Sequence, residues 1–263
     1  MRMLCLLGAV AACGGGGGFP DARVIDAPVP TATFSLTWTL SDASSQPLAC
    51  DRVGATTVTV LAHNQAFDGG QTEVFTCSTG MGTSQKVFPG TWDFDFQLTS
   101  ATGVLTTVPG QHGVTLTAGQ NTALQPLAFS VDATGGLSLT LATNRSGGNC
   151  AAQPGGGDIQ STTITLVHSS DQSCEPVTFT ISGAGTYMVN CVNAVQAPGC
   201  IDSNQTLTVA SMPSDGYTIH VRSTVSGGST CWSNNDSLQV PPMGQTLTKT
   251  LNLAYATGTS GCP

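Results

Sequence analysis

The sequence predicts an all-β protein built from two tandem antiparallel β-sandwiches. Three observations indicate this fold class: apolar residues alternate with polar ones in short runs, Gly, Pro and Asn turns separate the runs about every ten residues, and the second half of the chain resembles the first. No stretch offers an apolar stripe at helical spacing.

The predicted strands follow from this alternation. Phe34, Leu36, Trp38 and Leu40 fall on one face of an extended segment, with serine and threonine on the other, which is the period of a half-buried strand. The same pattern returns in four later segments: Val58 to Val60, Trp92 to Phe96, Val114 to Leu116, and Leu124 to Phe129.

Similar segments occur in the same order in the two halves of the chain. Phe34-Ser-Leu-Thr-Trp returns as Leu137-Ser-Leu-Thr-Leu, and the Val74-Phe-Thr-Cys77 segment as Met188-Val-Asn-Cys191. We therefore expect one sandwich over 32–133 and a second, with disulfide-bearing insertions, over 134–257. They would join near 132–136, and 258–263 would form a tail.

A Pro-Gly turn, an aromatic-x-apolar strand and a last strand after Gly-Gln-Thr recur along the body. In these features it resembles the immunoglobulin-like or prealbumin-like sandwiches repeated in bacterial surface proteins. The resemblance implies a surface-displayed body and leaves the strand order open.

Composition excludes one class of function. The 263 residues carry a net charge of −8, with only 7 basic residues, scattered along the chain. Nucleic-acid binding needs a clustered basic face to replace counterions on phosphate. We expect no nucleic-acid partner.

The first twelve residues have the parts of a secretion signal: one arginine, a short apolar stretch and small residues before Cys13. Val10-Ala11-Ala12-Cys13 resembles the bacterial lipobox, which implies acylation of the Cys13 thiol and cleavage of 1–12. An ordinary signal peptide cut nearby is the alternative.

Gly14 stands where, by resemblance to Gram-negative sorting rules, an Asp would favour the inner membrane. This implies the outer membrane, on its periplasmic or cell-surface side. Residues 13–31, with five consecutive glycines and then prolines, are predicted to be a flexible tether.

Cysteine usage indicates an oxidising compartment. Of ten cysteines, eight remain once Cys5 of the leader and Cys13 are set aside, and an even number in an exported chain suggests disulfides. The first unit contains only Cys50 and Cys77, which should pair with each other.

In the second unit, correspondence between the repeats assigns Cys150 to Cys191. The other four cysteines allow three pairings, of which Cys174–Cys200 and Cys231–Cys262 are favoured.

Sequence motifs for catalysis are absent. No nucleophile elbow, zinc-protease, phosphate-loop or dinucleotide motif occurs, and no C-x-x-C indicates zinc. We expect no enzyme activity, metal or cofactor. Asp93 and Asp95, and the strand-end His63 and His168, are interpreted as solvated side chains.

Trp232 is the candidate ligand contact. It lies in a polar insertion beside Asn234, Asn235 and Asp236, where an exposed indole could stack on a sugar ring; the alternative is that it packs on a disulfide. The leading hypothesis is a non-catalytic surface lipoprotein with an unknown protein or glycan partner. A carbohydrate-binding module using Trp232 and an unrecognised hydrolase are the alternatives.

Overall fold

A computed structural model describes residues 29–66, 69–191, 195–226 and 230–257. Within these ranges the chain forms β-strands, turns and two short 3-10 segments, with no α-helix. It folds into two tandem β-sandwiches, as the sequence predicted, and each has its own cluster of buried apolar side chains. No helix in the described ranges is long and apolar enough to cross a bilayer.

The first sandwich contains eight strands. They are β1 (Thr33–Ser41), β2 (Ala55–Asn64), β3 (Gly70–Thr76), β4 (Met81–Thr83), β5 (Gly90–Ser100), β6 (Gly103–Leu116), β7 (Asn121–Ala123) and β8 (Leu127–Ser130). One sheet has the order β3-β2-β5-β6; in the other, β4 flanks one side of β1, and β7 and β8 flank the other.

The second sandwich contains nine strands. They are β9 (Thr134–Ala142), β10 (Ile159–His168), β11 (Val177–Ile181), β12 (Gly185–Val189), β13 (Thr206–Pro213), β14 (Gly216–Val225), β15 (Thr230–Gln239), β16 (Thr246–Asn252) and β17 (Ala254–Thr257). Its sheets have the orders β12-β11-β13-β9-β16 and β10-β14-β15-β17.

The alternation of side chains explains how the two sheets of each sandwich close on one another. In β1, Phe34, Leu36, Trp38 and Leu40 are buried, while the residues between them are more exposed. Phe34 meets Phe94 of β5 edge-to-face, with ring centroids 4.8 Å apart, a favoured aromatic geometry. The inward faces of opposite sheets thus form one core.

The repeat appears in the topology as well. β1 pairs in parallel with β8, and β9 pairs in parallel with β16, so each sandwich has a parallel edge beside its otherwise antiparallel pairings. The β2–β5–β6 order also matches β10–β14–β15. The second sandwich differs in the hairpin β11–β12, which is added to the edge of the sheet containing β13. It also has β17 beside β15, whereas the first sandwich has β3 beside β2.

Disulfides brace both sandwiches, with one expected pairing and two corrections. The structure joins Cys50 to Cys77, the pair expected from the sequence. In the second sandwich it joins Cys150 to Cys200, with Cα atoms 5.8 Å apart. The predicted pairs Cys150–Cys191 and Cys174–Cys200 are therefore wrong, because Cys191 is bonded to Cys174.

The inserted hairpin explains this error. Cys77 lies just before β4, the antiparallel neighbour of β1, and Cys200 lies before β13, the antiparallel neighbour of β9. Cys200 is therefore the counterpart of Cys77, whereas Cys191 belongs to the hairpin and pairs within it. Cys231 is also disulfide-bonded; its predicted partner, Cys262, lies outside the described residues.

Candidate functional site

A polar groove of about 990 Å³ lies on the outer face of the β10-β14-β15-β17 sheet. The lining residues form two rows across the strands. The first row crosses all four strands and consists of the register neighbours Thr163, Arg222, Ser233 and Ala254. Ile219 and Val221, which alternate with the outward residues of β14, are buried. The alternation that builds the core thus also builds this face.

The second row lies two residues further along the strands. Thr165, His220 and Asn235 are register neighbours there, and the His220 and Asn235 side chains are exposed. Gln196, Asn234 and Asn252 also line the groove, and the Asn234 side-chain amide donates to the Asn252 carbonyl oxygen at 2.9 Å. The groove therefore offers hydroxyl, amide, imidazole and guanidinium groups over three strands.

The prediction that Trp232 forms an exposed platform for a sugar ring is wrong. The Trp232 side chain is 1% exposed and its indole N–H donates to the carbonyl oxygen of Gly157 at 2.8 Å. Its ring packs against that of Tyr255, with centroids 4.8 Å apart. Trp232 is therefore part of the core and cannot stack on a ligand.

The three polar residues predicted to accompany Trp232 separate into two groups. Asn234 and Asn235 line the groove. Asp236 lies outside the groove lining and forms an ion pair with Lys249 at 2.9 Å, and its pKa is lowered, first by the hydrogen bond from Lys249. Of the predicted contact residues, Asn234 and Asn235 therefore line the groove together with His220 and Arg222, whereas Trp232 and Asp236 do not.

The His220 and Arg222 pair carried a visible sequence signal. Thr218, His220 and Arg222 alternate with buried residues of β14, which predicts one polar face. Their neighbours in the groove come from β15, the next strand in the chain, and from β10, which is distant in sequence. Alternation alone could not reveal that the three strands form a single surface.

A second polar cluster is buried where the two sandwiches meet. The His168 Nδ1 atom lies 2.6 Å from Asp215 Oδ2, and its Nε2 atom lies 2.8 Å from Glu175 Oε2. Arg52 of the first sandwich forms an ion pair with Asp215 at 3.2 Å, and the Tyr217 ring lies 4.7 Å from the His168 ring.

The folds of the neighbouring segments bring these groups together. His168 ends β10 opposite Tyr217 of β14, and Asp215 lies in the turn before β14. Glu175 follows the Cys174 disulfide, and its amide N–H donates to the carbonyl oxygen of Leu166. The interpretation of His168 as a solvated strand-end residue is therefore wrong.

Two opposing effects set the pKa of His168. Burial of the ring disfavours the charged form, but hydrogen bonds to Asp215 and Glu175, together with their negative charges, outweigh it and raise the pKa. With both ring nitrogens held by carboxylates, His168 has no free nitrogen to take a proton from a substrate. The arrangement is that of a buried ion-pair cluster.

The Asp93 carboxylate on the first sandwich is also engaged. It accepts hydrogen bonds from the Gly113 amide at 2.8 Å and from the Gln65 side chain, and these lower its pKa in that order. His63 and Asp95 are exposed. Within the described ranges, no three His, Cys, Asp or Glu side chains are grouped so as to hold a metal ion.

Comparison with known proteins assigns no family. No protein-family model and no curated protein matches the chain. Among solved structures, the shaft pilin SpaA from Lactobacillus rhamnosus GG is 12% identical, with a TM-score of 0.28 over 85% of this chain and 98% of that chain.

Two further structures are similar at the same level. A streptococcal ancillary pilin is 10% identical, with a TM-score of 0.28 over 85% of this chain and 63% of that chain. A leucine-rich repeat protein from Bacteroides thetaiotaomicron VPI-5482 is 14% identical, with a TM-score of 0.25, and this chain spans 26% of its length. The function is therefore inferred from the chain's own residues.

Proposed function

We propose that this chain is an exported, non-catalytic lipoprotein of the bacterial envelope. Acyl chains on Cys13 fix it to a membrane, and its two disulfide-braced sandwiches are displayed for adhesion or envelope interaction. The observation that carries the proposal is the lipobox-like segment ending at Cys13, followed by a Gly- and Pro-rich tether and an all-β body. Cys13 lies outside the described residues.

Membrane attachment follows from the energetics of acyl chains. One chain gives marginal, reversible binding, whereas two or more anchor a protein stably, at about 0.8 kcal/mol per buried methylene. An acylated Cys13 meets this condition without a membrane-spanning helix. Gly14 favours the outer membrane, by resemblance to Gram-negative sorting signals.

The cysteines fit export. Cys50–Cys77, Cys150–Cys200 and Cys174–Cys191 are bonded as disulfides, which persist in oxidising compartments such as the periplasm or the cell surface. The two sandwiches, once exported to such a compartment, would therefore retain these three disulfides.

The non-catalytic part of the proposal rests on His168, a buried histidine held between two carboxylates. His112 Nδ1 also approaches Asp93 Oδ1, at 3.5 Å, but its side chain is 68% exposed. A hydrolase would need one of the His168 nitrogens free to activate a nucleophile or water. Asp215 and Glu175 hold both nitrogens, which disfavours the hydrolase alternative.

Metabolic labelling with a palmitate analogue in a Gram-negative host tests the anchor. The full chain should incorporate label and fractionate with membranes, and its mature form should begin at Cys13. The Cys13→Ala variant should lose both label and membrane association, whereas the matched Cys5→Ala variant should keep them. Label on the Cys13→Ala variant, or a mature protein that retains residues 1–12, would contradict the proposal.

A further inference from the structure

We propose that the groove on the β10-β14-β15-β17 sheet binds an acidic oligosaccharide, with Arg222 pairing with a sugar carboxylate. The inference concerns the ligand of the second sandwich and does not depend on lipid attachment at Cys13.

The charge of the groove is opposite to that of the protein as a whole. The chain carries a net charge of −8, yet no carboxylate is among the described residues that line the groove, whereas Arg222 and His220 are. Within the described ranges Arg222 forms no ion pair, while Arg52 and Lys249 are each paired with an aspartate. Arg222 is thus an exposed guanidinium free to bind an anion.

The uncharged groups match a sugar. A sugar hydroxyl both donates and accepts hydrogen bonds, and so do the lining amides and hydroxyls, such as those of Asn235, Gln196 and Thr163. They lie around Arg222 on β10, on β15 and on the segment that contains Gln196, so one ligand could reach the guanidinium and several of these groups together. The planar guanidinium can hold a carboxylate through two parallel hydrogen bonds.

The dimensions favour an oligosaccharide over a monosaccharide. Four strands at about 4.8 Å spacing place Thr163 and Ala254, at the ends of the first row, roughly 14 Å apart. The volume of about 990 Å³ exceeds the needs of a single ring. A short chain of sugars lying across the strands would contact both rows.

Other ligand classes fit less well. A nucleic acid needs several phosphate contacts for affinity, and the groove supplies one guanidinium. A peptide would need pockets for apolar side chains, and the apolar members of the lining are Ala254 and Val221, of which Val221 is 2% exposed. Among the described residues of the lining there is no Phe, Tyr or Trp, so recognition relies on hydrogen bonds and charge.

Isothermal titration of the full chain tests this proposal. The probes are uronic-acid oligosaccharides: trigalacturonic acid, mannuronate and guluronate trimers from alginate, and a hyaluronan tetrasaccharide. At least one should bind. Where trigalacturonic acid binds, its methyl ester, which has the same backbone without the charge, should bind about ten-fold to a hundred-fold more weakly.

Matched variants locate the site. Arg222→Gln removes the charge from an exposed side chain and should weaken binding by the same factor, and Asn235→Ala should weaken it less. Lys86→Gln makes the same charge change on the first sandwich and should leave binding intact. Circular dichroism confirms that each variant is folded.

Three results would overturn the proposal: no binding of any uronic-acid probe, equal binding to folded Arg222→Gln and to the unaltered chain, or tighter binding of an oligoglutamate peptide. None of them bears on lipid attachment at Cys13.

Discussion

Replacing Cys150 and Cys200 together with alanine would remove the bond that ties the loop after β9 to the start of β13. This bond spans 50 residues, and the loop-entropy model gives about 4.1 kcal/mol of stabilisation for that span. The hairpin bond Cys174–Cys191 spans 17 residues, for which the same model gives about 3.1 kcal/mol. Removing the longer bond should therefore cost about 1 kcal/mol more.

Urea unfolding under non-reducing conditions, followed by hydrogen exchange and mass spectrometry, measures these losses. Exchange in peptides separates the two sandwiches, which have distinct cores. Both double variants should weaken protection in the second sandwich. The matched double variant Cys50→Ala with Cys77→Ala should weaken it in the first.

Two results would refute this reasoning. A larger loss from removing the hairpin bond than from removing Cys150–Cys200 would show that loop entropy does not set the difference. The single variant Cys200→Ser provides an independent check, because it should leave Cys150 as the new alkylatable thiol. Alkylation at Cys174 instead would favour the Cys174–Cys200 pairing expected from the sequence.

Three further perturbations test the buried contacts. Folding raises the pKa of His168 above its ordinary 6.5. Its stabilising contribution should therefore be complete below pH 6.5 and fall as the pH rises through the folded pKa. The free energy of unfolding of the His168→Gln variant, measured between pH 5 and 9, should lack this slope, and an unchanged slope would contradict the assignment. Trp232→Ala should lower the free energy of unfolding by about 3 to 5 kcal/mol, measured by urea denaturation; a change below about 1 kcal/mol would contradict its core position. Gly135→Ala would place a methyl carbon 1.8 Å from the carbonyl oxygen of Pro241 and should cost about 1 to 3 kcal/mol. Gly155→Ala is the control, because a methyl carbon there has no neighbour within 4 Å and Gly155 does not have a positive φ; equal melting temperatures for Gly135→Ala and the unaltered chain would contradict the close approach.

The strands themselves could be predicted from local sequence. Side chains of an extended chain point to opposite faces in turn, so the alternation from Phe34 to Leu40 specifies both the strand and its buried face. The same rule placed Trp92 and Phe94 inward, and both are buried. The similarity of the two halves predicted two sandwiches, because each half carries enough apolar positions for a core.

Contacts between distant strands depended on the tertiary structure. Cys200 pairs with Cys150 because β13 lies beside β9, and the inserted β11–β12 hairpin hides that neighbour from a comparison of the repeats. His168 likewise meets Asp215 and Glu175 through turns that local pattern does not specify.

Trp232 and Arg222 show what the local sequence predicts and what depends on the tertiary structure. The sequence around Trp232 is polar and predicts exposure, but packing against Tyr255 of β17 buries the indole. Arg222 is outward by alternation, yet it lines a groove only because β10, β14 and β15 are adjacent. Where apolar and polar residues alternate clearly, as in β1 and β14, sequence alone determined which way each residue points, since that depends on local backbone geometry. The fold decided which residues meet, and that Trp232 is buried, since strand neighbours are set by long-range packing.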